Sequence, residues 1–203
     1  MSKTSLLFIA MFLTILLFVV QKNSSDTNSI ELKGDSIILA FGDSITNGFG
    51  AGYGSSYPKY LEKKIGLKVI NAGVDGEFSS EGVLRLPQLL EHKPDLVILC
   101  HGGNDILNKL SSQELKNNLL YMVTLIKNSG SNVLLVGVPN FSLFSFDIHD
   151  IYYEVADEMD VLLEDEVLTK IELDSSLKSD YVHPNAKGYE MMAEALMKYI
   201  LVK

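Results

Sequence analysis

The segments IILAF (37–41), LVILC (96–100) and VLLV (133–136) are apolar at successive positions rather than at alternate ones. A strand with one solvated face alternates, so unbroken runs fit strands covered on both faces, as in a parallel sheet. Strands are predicted at 36–41, 68–72, 95–101 and 132–138, with a weaker one at 161–163. Amphipathic stretches between and after them predict helices at 56–65, 80–91, 112–129, 150–159 and 185–201. In the third of these, Leu115, Leu119, Met122, Val123 and Ile126 recur at helical spacing, with Ser112 as N-cap and Gly130 just beyond the end. In the last, Tyr189, Met192, Ala193, Leu196 and Ile200 do the same. These stripes are core faces and carry no chemistry. Alternating β and α elements joined by right-handed crossovers imply an α/β fold, a three-layer α/β/α sandwich around a parallel sheet of about five strands, flavodoxin-like in shape.

The 203 residues suffice for one well-buried domain, placed at 36–203. A formal charge of −9 without any basic stripe argues against nucleic acid and anionic membrane surfaces as electrostatic partners. The single cysteine, Cys100, excludes an internal disulfide and a cysteine-rich metal site. Within LVILCHGG it reads as a small buried hydrophobe.

Residues 1–35 differ in kind. The run LLFIAMFLTILLFVV (6–20) holds no charge, follows Lys3 and precedes the polar QKNSSDTNS. It reads as a signal peptide or a membrane anchor, followed by a linker. As a helix it spans about 22 Å, short of the roughly 30 Å hydrocarbon core, which favours a cleaved signal. The lack of an Ala-x-Ala-like pair after Val20 favours a retained anchor instead. Either way the domain is expected outside the cytoplasmic membrane, periplasmic or secreted, with 6–20 as a candidate tether to the inner membrane.

In an open parallel sheet a ligand lies beyond the carboxyl ends of the strands, so the residues just after each apolar run are the informative ones. Gly42-Asp43-Ser44 follows the first run, Gly73 the second, and Gly102-Gly103-Asn104-Asp105 the third. One sheet edge thereby collects a hydroxyl, an amide with no side chain beside it, and a carboxamide. Acyl transfer requires these parts: a nucleophile, and donors aimed where an oxyanion develops. The Ser44 N–H is a further candidate donor. The stretch NGFGAGYG after Ser44 has neither the lysine nor the spacing of a phosphate loop and reads as a flexible passage to the next helix.

A base must come from four histidines, His92, His101, His149 and His183. His183 directly precedes the closing helix and has Asp180 three residues upstream. In a turn, that spacing brings the carboxylate to Nδ1 while Nε2 takes the serine proton. His92 lies before a strand, at the opposite edge. His101 reads either as a packing residue beside the site or as part of its lining. The acids around His149 are explained by a helix start, and it stands as a competing base. A Gly-Asp-Ser tripeptide alone arises by chance in roughly one chain of this size in twenty. The four blocks together, in this order and each at a strand end or helix start, are far more specific.

These blocks resemble the GDSL, or SGNH, hydrolase superfamily, through Ser44 in FGDSIT, Gly73 in NAGVDG, Asn104 in GGND and His183 in DYVHP. The resemblance covers residues 37–200, and SSEGVLRLPQLLEHKPDLVIL and VGVPN are similar to the bacterial extracytoplasmic thioesterase, lysophospholipase and arylesterase branch. It implies the SGNH hydrolase fold and a serine esterase of carboxylic esters or thioesters. The implied catalytic residues are Ser44, Asp180 and His183; the implied oxyanion hole is formed by the Ser44 and Gly73 N–H groups and the Asn104 side chain. No metal or organic cofactor is implied. Ile45 stands where the family's name has leucine, which is a neutral exchange.

The segment NFSLFSFDIHDIYY (140–153) follows the fourth strand, where relatives place substrate-contacting loops. Phe141, Leu143, Phe144 and Phe146 are candidate acyl-chain contacts there, the alternative being that they pack under the next helix. The expected partner is a small acyl ester or thioester with a medium or long, lipid-derived chain. A carbohydrate or cell-wall O-acetylesterase is the alternative reaction. A non-catalytic binding module is a third reading, and the joint presence of Ser44, Asn104, Asp180 and His183 argues against it.

Overall fold

The computed structural model describes residues 29–140 and 147–203. In chain order these form β1 (Ile30–Leu32), β2 (Ile37–Gly42), α1 (Ser44–Asn47), α2 (Tyr57–Ile65), β3 (Lys68–Gly73), α3 (Ser79–Leu90), β4 (Leu96–Cys100) and α4 (Gly103–Leu107). There follow α5 (Ser112–Asn128), β5 (Asn132–Val136), α6 (Ile151–Met159), β6 (Leu162–Glu164), α7 (Val167–Leu173), a 3-10 turn (Ser175–Leu177), α8 (Ala186–Met197) and β7 (Ile200–Val202). Five parallel strands in the order β3-β2-β4-β5-β6 make the central sheet. The unbroken apolar runs are covered on both faces: β4 is buried at every position, and residues 38–41 and 134–136 have no solvent exposure. Helices α2, α7 and α8 pack together as one outer layer, and α3, α5 and α6 as the other. The parallel α/β/α architecture expected from the sequence is borne out.

The strand order determines where a ligand can sit. β2 has β3 on one side and β4 on the other, so the chain reverses its direction of growth at β2, and a crevice opens at the carboxyl ends of β2 and β4. The register aligns those ends, with Gly42 opposite both Gly73 and Cys100.

Several boundaries differ from expectation. Ile30–Leu32, within the expected linker, forms β1 and pairs in parallel with β7, a stretch expected to be the end of the last helix. Ile30 and Leu32 are buried while Glu31 between them is exposed, the alternation of a strand with one covered face. Ser44–Asn47 and Gly103–Leu107, which carried no predicted helix, form one-turn helices directly after β2 and β4. Past α1, Gly48, Gly50, Gly52 and Gly54 all hold positive φ, so the glycine-rich passage is a chain of left-handed turns. The apolar run at 6–20 lies outside the described residues. Among the described residues, no helix is long and apolar enough to cross a membrane.

The cap of α5 is shifted by one residue. Ser111, not Ser112, has extended backbone, and its side chain accepts the Glu114 N–H at 3.3 Å. Ser111→Ala should cost about 1 kcal/mol of stability in denaturant unfolding. Ser112→Ala should stay within about 0.5 kcal/mol; the reverse ranking would place the cap at Ser112.

Candidate active site

The carboxyl end of β2 turns directly into α1, and the turn is closed by Asp43. Its Oδ1 accepts the Ile45 N–H at 3.0 Å, so the carboxylate caps the short helix that begins at Ser44. Asp43 is buried, and that burial pushes its carboxyl up. Ser44 is 9% exposed, and its Oγ lies 2.9 Å from His183 Nε2. The segment carrying His183 arrives from the opposite end of the chain, just ahead of α8, whose N-cap Asn185 accepts the N–H groups of Lys187 and Gly188.

Asp180 holds the imidazole from the other side. Its Oδ2 is 2.8 Å from His183 Nδ1, and its Oδ1 accepts the N–H groups of Val182 (2.9 Å) and His183 (2.8 Å). Partial burial works against ionisation of this carboxyl. The two backbone N–H groups and then the imidazole outweigh it and hold Asp180 below the usual carboxylate range. A charged Asp180 fixes Nδ1 as the protonated nitrogen and leaves Nε2 with a lone pair for the serine hydroxyl. The ring of Phe49 packs beside His183 with centroids 4.6 Å apart, and the Tyr189 hydroxyl donates to the Phe49 carbonyl at 2.9 Å.

Of the expected oxyanion donors, Ser44 and Asn104 face the same small cleft of about 60 Å³, with Ile45, Leu107, Val182 and His183 also in its lining. The Ser44 N–H has no acceptor among the described residues. Asn104 Nδ2 donates one proton to the Glu77 carbonyl at 3.0 Å, which orients the carboxamide and leaves its second proton available.

Gly73 is placed differently from expectation. Its N–H donates to Asn71 Oδ1 at 3.0 Å. Its Cα presses on the α1 backbone, where a Cβ would stand 2.1 Å from Asn47 N. Close packing of β3 against α1 explains this glycine. Further along the same loop the N–H groups of Asp75 and Gly76 have no acceptor among the described residues. Gly76 has φ +76°, open space at its Cβ position, and a chain neighbour, Glu77, whose carbonyl holds Asn104. A signal for it was present in NAGVDG, where the second glycine closes a turn that needs positive φ.

The other histidines lie apart from this relay. His101 is fully buried and contacts Glu77. His149 reaches Ser112 Oγ at 3.4 Å at the start of α6. His92 follows α3 on an exposed turn. Cys100 is buried in β4, and burial pushes its thiol far up. Phe141, Leu143, Phe144 and Phe146 lie outside the described residues. A larger cavity of about 510 Å³ shares Leu107 with the small cleft and is edged by Ile106, Leu110, Leu115, Asn140 and His149. No cluster of three or more His, Cys, Asp or Glu side chains placed for a metal ion occurs among the described residues.

Chemically, the arrangement provides a hydroxyl, a base to take its proton, a carboxylate to stabilise the resulting imidazolium, and N–H donors grouped on one side. Comparison with known proteins agrees. The GDSL-like Lipase/Acylhydrolase family matches residues 40–191. An arylesterase of Vibrio mimicus is 32% identical over 181 residues, covering 80% of this chain and 89% of that protein. Thioesterase 1/protease 1/lysophospholipase L1 of Escherichia coli K12 is 28% identical over 171 residues, covering 80% and 82%. The crystal structure of AlinE4, an SGNH-hydrolase family esterase, superposes with a TM-score of 0.65 at 33% identity, over 79% of this chain and 92% of that one. The family and branch expected from the motifs are thereby borne out.

The His183–Asp180 contact predicts a spectroscopic signature. Because Asp180 stays ionised in mild acid, a far-downfield Nδ1–H proton resonance should persist as pH falls below neutrality. Asp180→Asn should abolish it; an unchanged resonance would mean that another group holds Nδ1.

Proposed function

We propose an acyl-enzyme mechanism on Ser44 for this chain, which belongs to the GDSL-like lipase/acylhydrolase family and is a serine esterase acting on carboxylic ester or thioester bonds. The observation that carries the proposal is the unbroken relay from Ser44 Oγ to His183 Nε2 (2.9 Å) and from His183 Nδ1 to Asp180 (2.8 Å). Ser44 Oγ attacks the acyl carbon as His183 Nε2 takes its proton, and Asp180 stabilises the imidazolium. The tetrahedral oxyanion is received by the Ser44 and Gly76 N–H groups and the free Asn104 Nδ2–H. We assign Gly76 this role in place of Gly73, because the Gly73 N–H is already engaged by Asn71. His183 then protonates the departing oxygen or sulfur. Water, deprotonated by the same imidazole, hydrolyses the acyl-enzyme by the reverse sequence.

The acyl chain is medium or long. The small cleft at Ser44 accommodates little beyond the reacting group, but the larger cavity beside it, sharing Leu107, offers Ile106, Leu110 and Leu115 to a hydrocarbon chain. The chain acts outside the cytoplasmic membrane, as the charge-free run at 6–20 supports. Activity recovered solely in the cytoplasmic fraction of cells expressing the full chain would refute that placement.

Hydrolysis of p-nitrophenyl esters of graded acyl length tests mechanism and substrate together. Ser44→Ala should abolish turnover, and surviving turnover would remove Ser44 from the chemistry. Activity confined to acetate would overturn the acyl-chain reading and favour an O-acetylesterase. Asn104→Ala should lower kcat by roughly 10²- to 10³-fold, as loss of one oxyanion donor does elsewhere. Because His183 Nε2 must accept the Ser44 proton, His183→Gln should abolish turnover. Turnover that survives would exclude His183 as the base.

A further inference from the structure

We infer that Glu77, Arg85 and His101 form a brace beneath the oxyanion hole, with Glu77 and Arg85 acting as positioning residues for ester hydrolysis. The inference rests on the acyl-transfer reading above and goes beyond it, since none of the three side chains touches the reacting atoms. Glu77 follows Gly76 in the β3–α3 loop, and its side chain is 6% exposed, turned inward under the cleft. Its carboxylate takes two hydrogen bonds from Arg85 on α3, from Nε at 2.7 Å and Nη2 at 2.5 Å, the paired geometry that fixes both position and orientation. A third comes from His101, at the end of β4, at 3.1 Å. The Gly102 N–H donates to His101 Nδ1 at 3.0 Å, which leaves Nε2 as the protonated nitrogen facing Glu77.

Each member of the cluster holds a different wall of the site. Arg85 Nη2 also reaches the Gly42 carbonyl at 3.4 Å, two residues before Ser44, and its guanidinium lies 4.4 Å above the Phe41 ring of β2. His101 stands three residues before Asn104, and its carbonyl is held by the Tyr152 hydroxyl at 2.7 Å. Glu77 is bonded through its own carbonyl to Asn104 Nδ2 and is linked through its N-terminal peptide bond to Gly76. One buried cluster therefore ties together the three segments that deliver the Ser44, Gly76 and Asn104 donors. Helix α3 closes over it without slack, for a Cβ at Gly82 would stand 2.5 Å from His101 Nε2.

Electrostatics make the brace stiff. Burial would by itself raise the Glu77 carboxyl, but the hydrogen bonds from Arg85 and then His101 bring it down to about 2, so it stays charged wherever the enzyme works. Buried ion pairs add little net stability compared with apolar replacements. Packing alone thus gives no reason for an Arg–Glu–His cluster here, whereas donors that must hold an oxyanion within a few tenths of an ångström do.

A double-mutant cycle on p-nitrophenyl ester hydrolysis tests this. Arg85→Met and Glu77→Gln are each made alone and with Asn104→Ala, separating kcat from KM and checking folding by thermal melting. Each single variant should lower kcat by about 10- to 100-fold with KM nearly unchanged. In the Asn104→Ala background the further loss should be smaller than in the parent, because one of the three donors being positioned is gone. Arg85→Lys, which keeps the charge but not the fork, should recover part of the rate. Equal losses in both backgrounds, or single variants at the parental kcat, would overturn the brace. If Arg85→Met fails to fold, the nearly isosteric Glu77→Gln carries the same comparison. Ser44→Ala at the parental rate would instead overturn the acyl-transfer reading itself; an inactive Ser44→Ala beside a fully active Arg85→Met would overturn the brace alone.

Discussion

Gly42 ends β2 so close to the carbonyl of Cys100 that a Cβ built on it would stand 1.9 Å away, and 2.4 Å from Thr46 Oγ1 on the far side of the turn. This contact between the tip of β2, the end of β4 and the first turn of α1 determines where Ser44 stands. With Gly42 in register with both Gly73 and Cys100, the chain can turn into α1 only at the point where the sheet changes its direction of growth. β3 presses on the same short helix from the other side, through Gly73 against Asn47. The site is thus built on close backbone contacts that side chains would prop apart, and the groups doing chemistry are set on its rim.

Three carboxyls surround that rim, and their environments part them. Asp43 is buried with a single backbone donor, and its carboxyl is pushed up. Asp180 and Glu77 collect several donors each, and both are held down against the effect of burial. Depth and the number of donors each carboxylate collects act together to separate them. The two that are held down each hold an imidazole, His183 for Asp180 and His101 for Glu77.

What the sequence made legible was what depends on local pattern. Unbroken apolar runs marked β2, β4 and β5, and the polar residues just after them pointed to one sheet edge. Asp180 and His183 could be paired because the turn that joins them is three residues long. Choosing between Gly73 and Gly76 needed more, since both are glycines of one loop. The difference between them in the structure is the Asn71 side chain folding back onto the Gly73 amide, two residues on, which periodicity does not encode. Phe49 beside His183 and Arg85 beside Glu77 are tertiary contacts between segments that carry no shared motif. β1 and β7 escaped notice because three-residue strands leave no period to read, and each becomes a strand only through the other.

That pair of strands has a mechanical consequence. β1 is the first described element, and it lies alongside β7 outside the five-stranded sheet, clipped by hydrogen bonds from Ile30 N to the Tyr199 carbonyl and from Lys203 N to the Leu32 carbonyl. A load drawn along the N-terminal segment enters the domain as shear across this small parallel pair. From there it divides between β7 with α8, the helix that starts just beyond His183, and the four residues that lead from β1 into β2. The small pair thus connects on one side to the helix that follows His183 and on the other to the strand that ends just before Ser44.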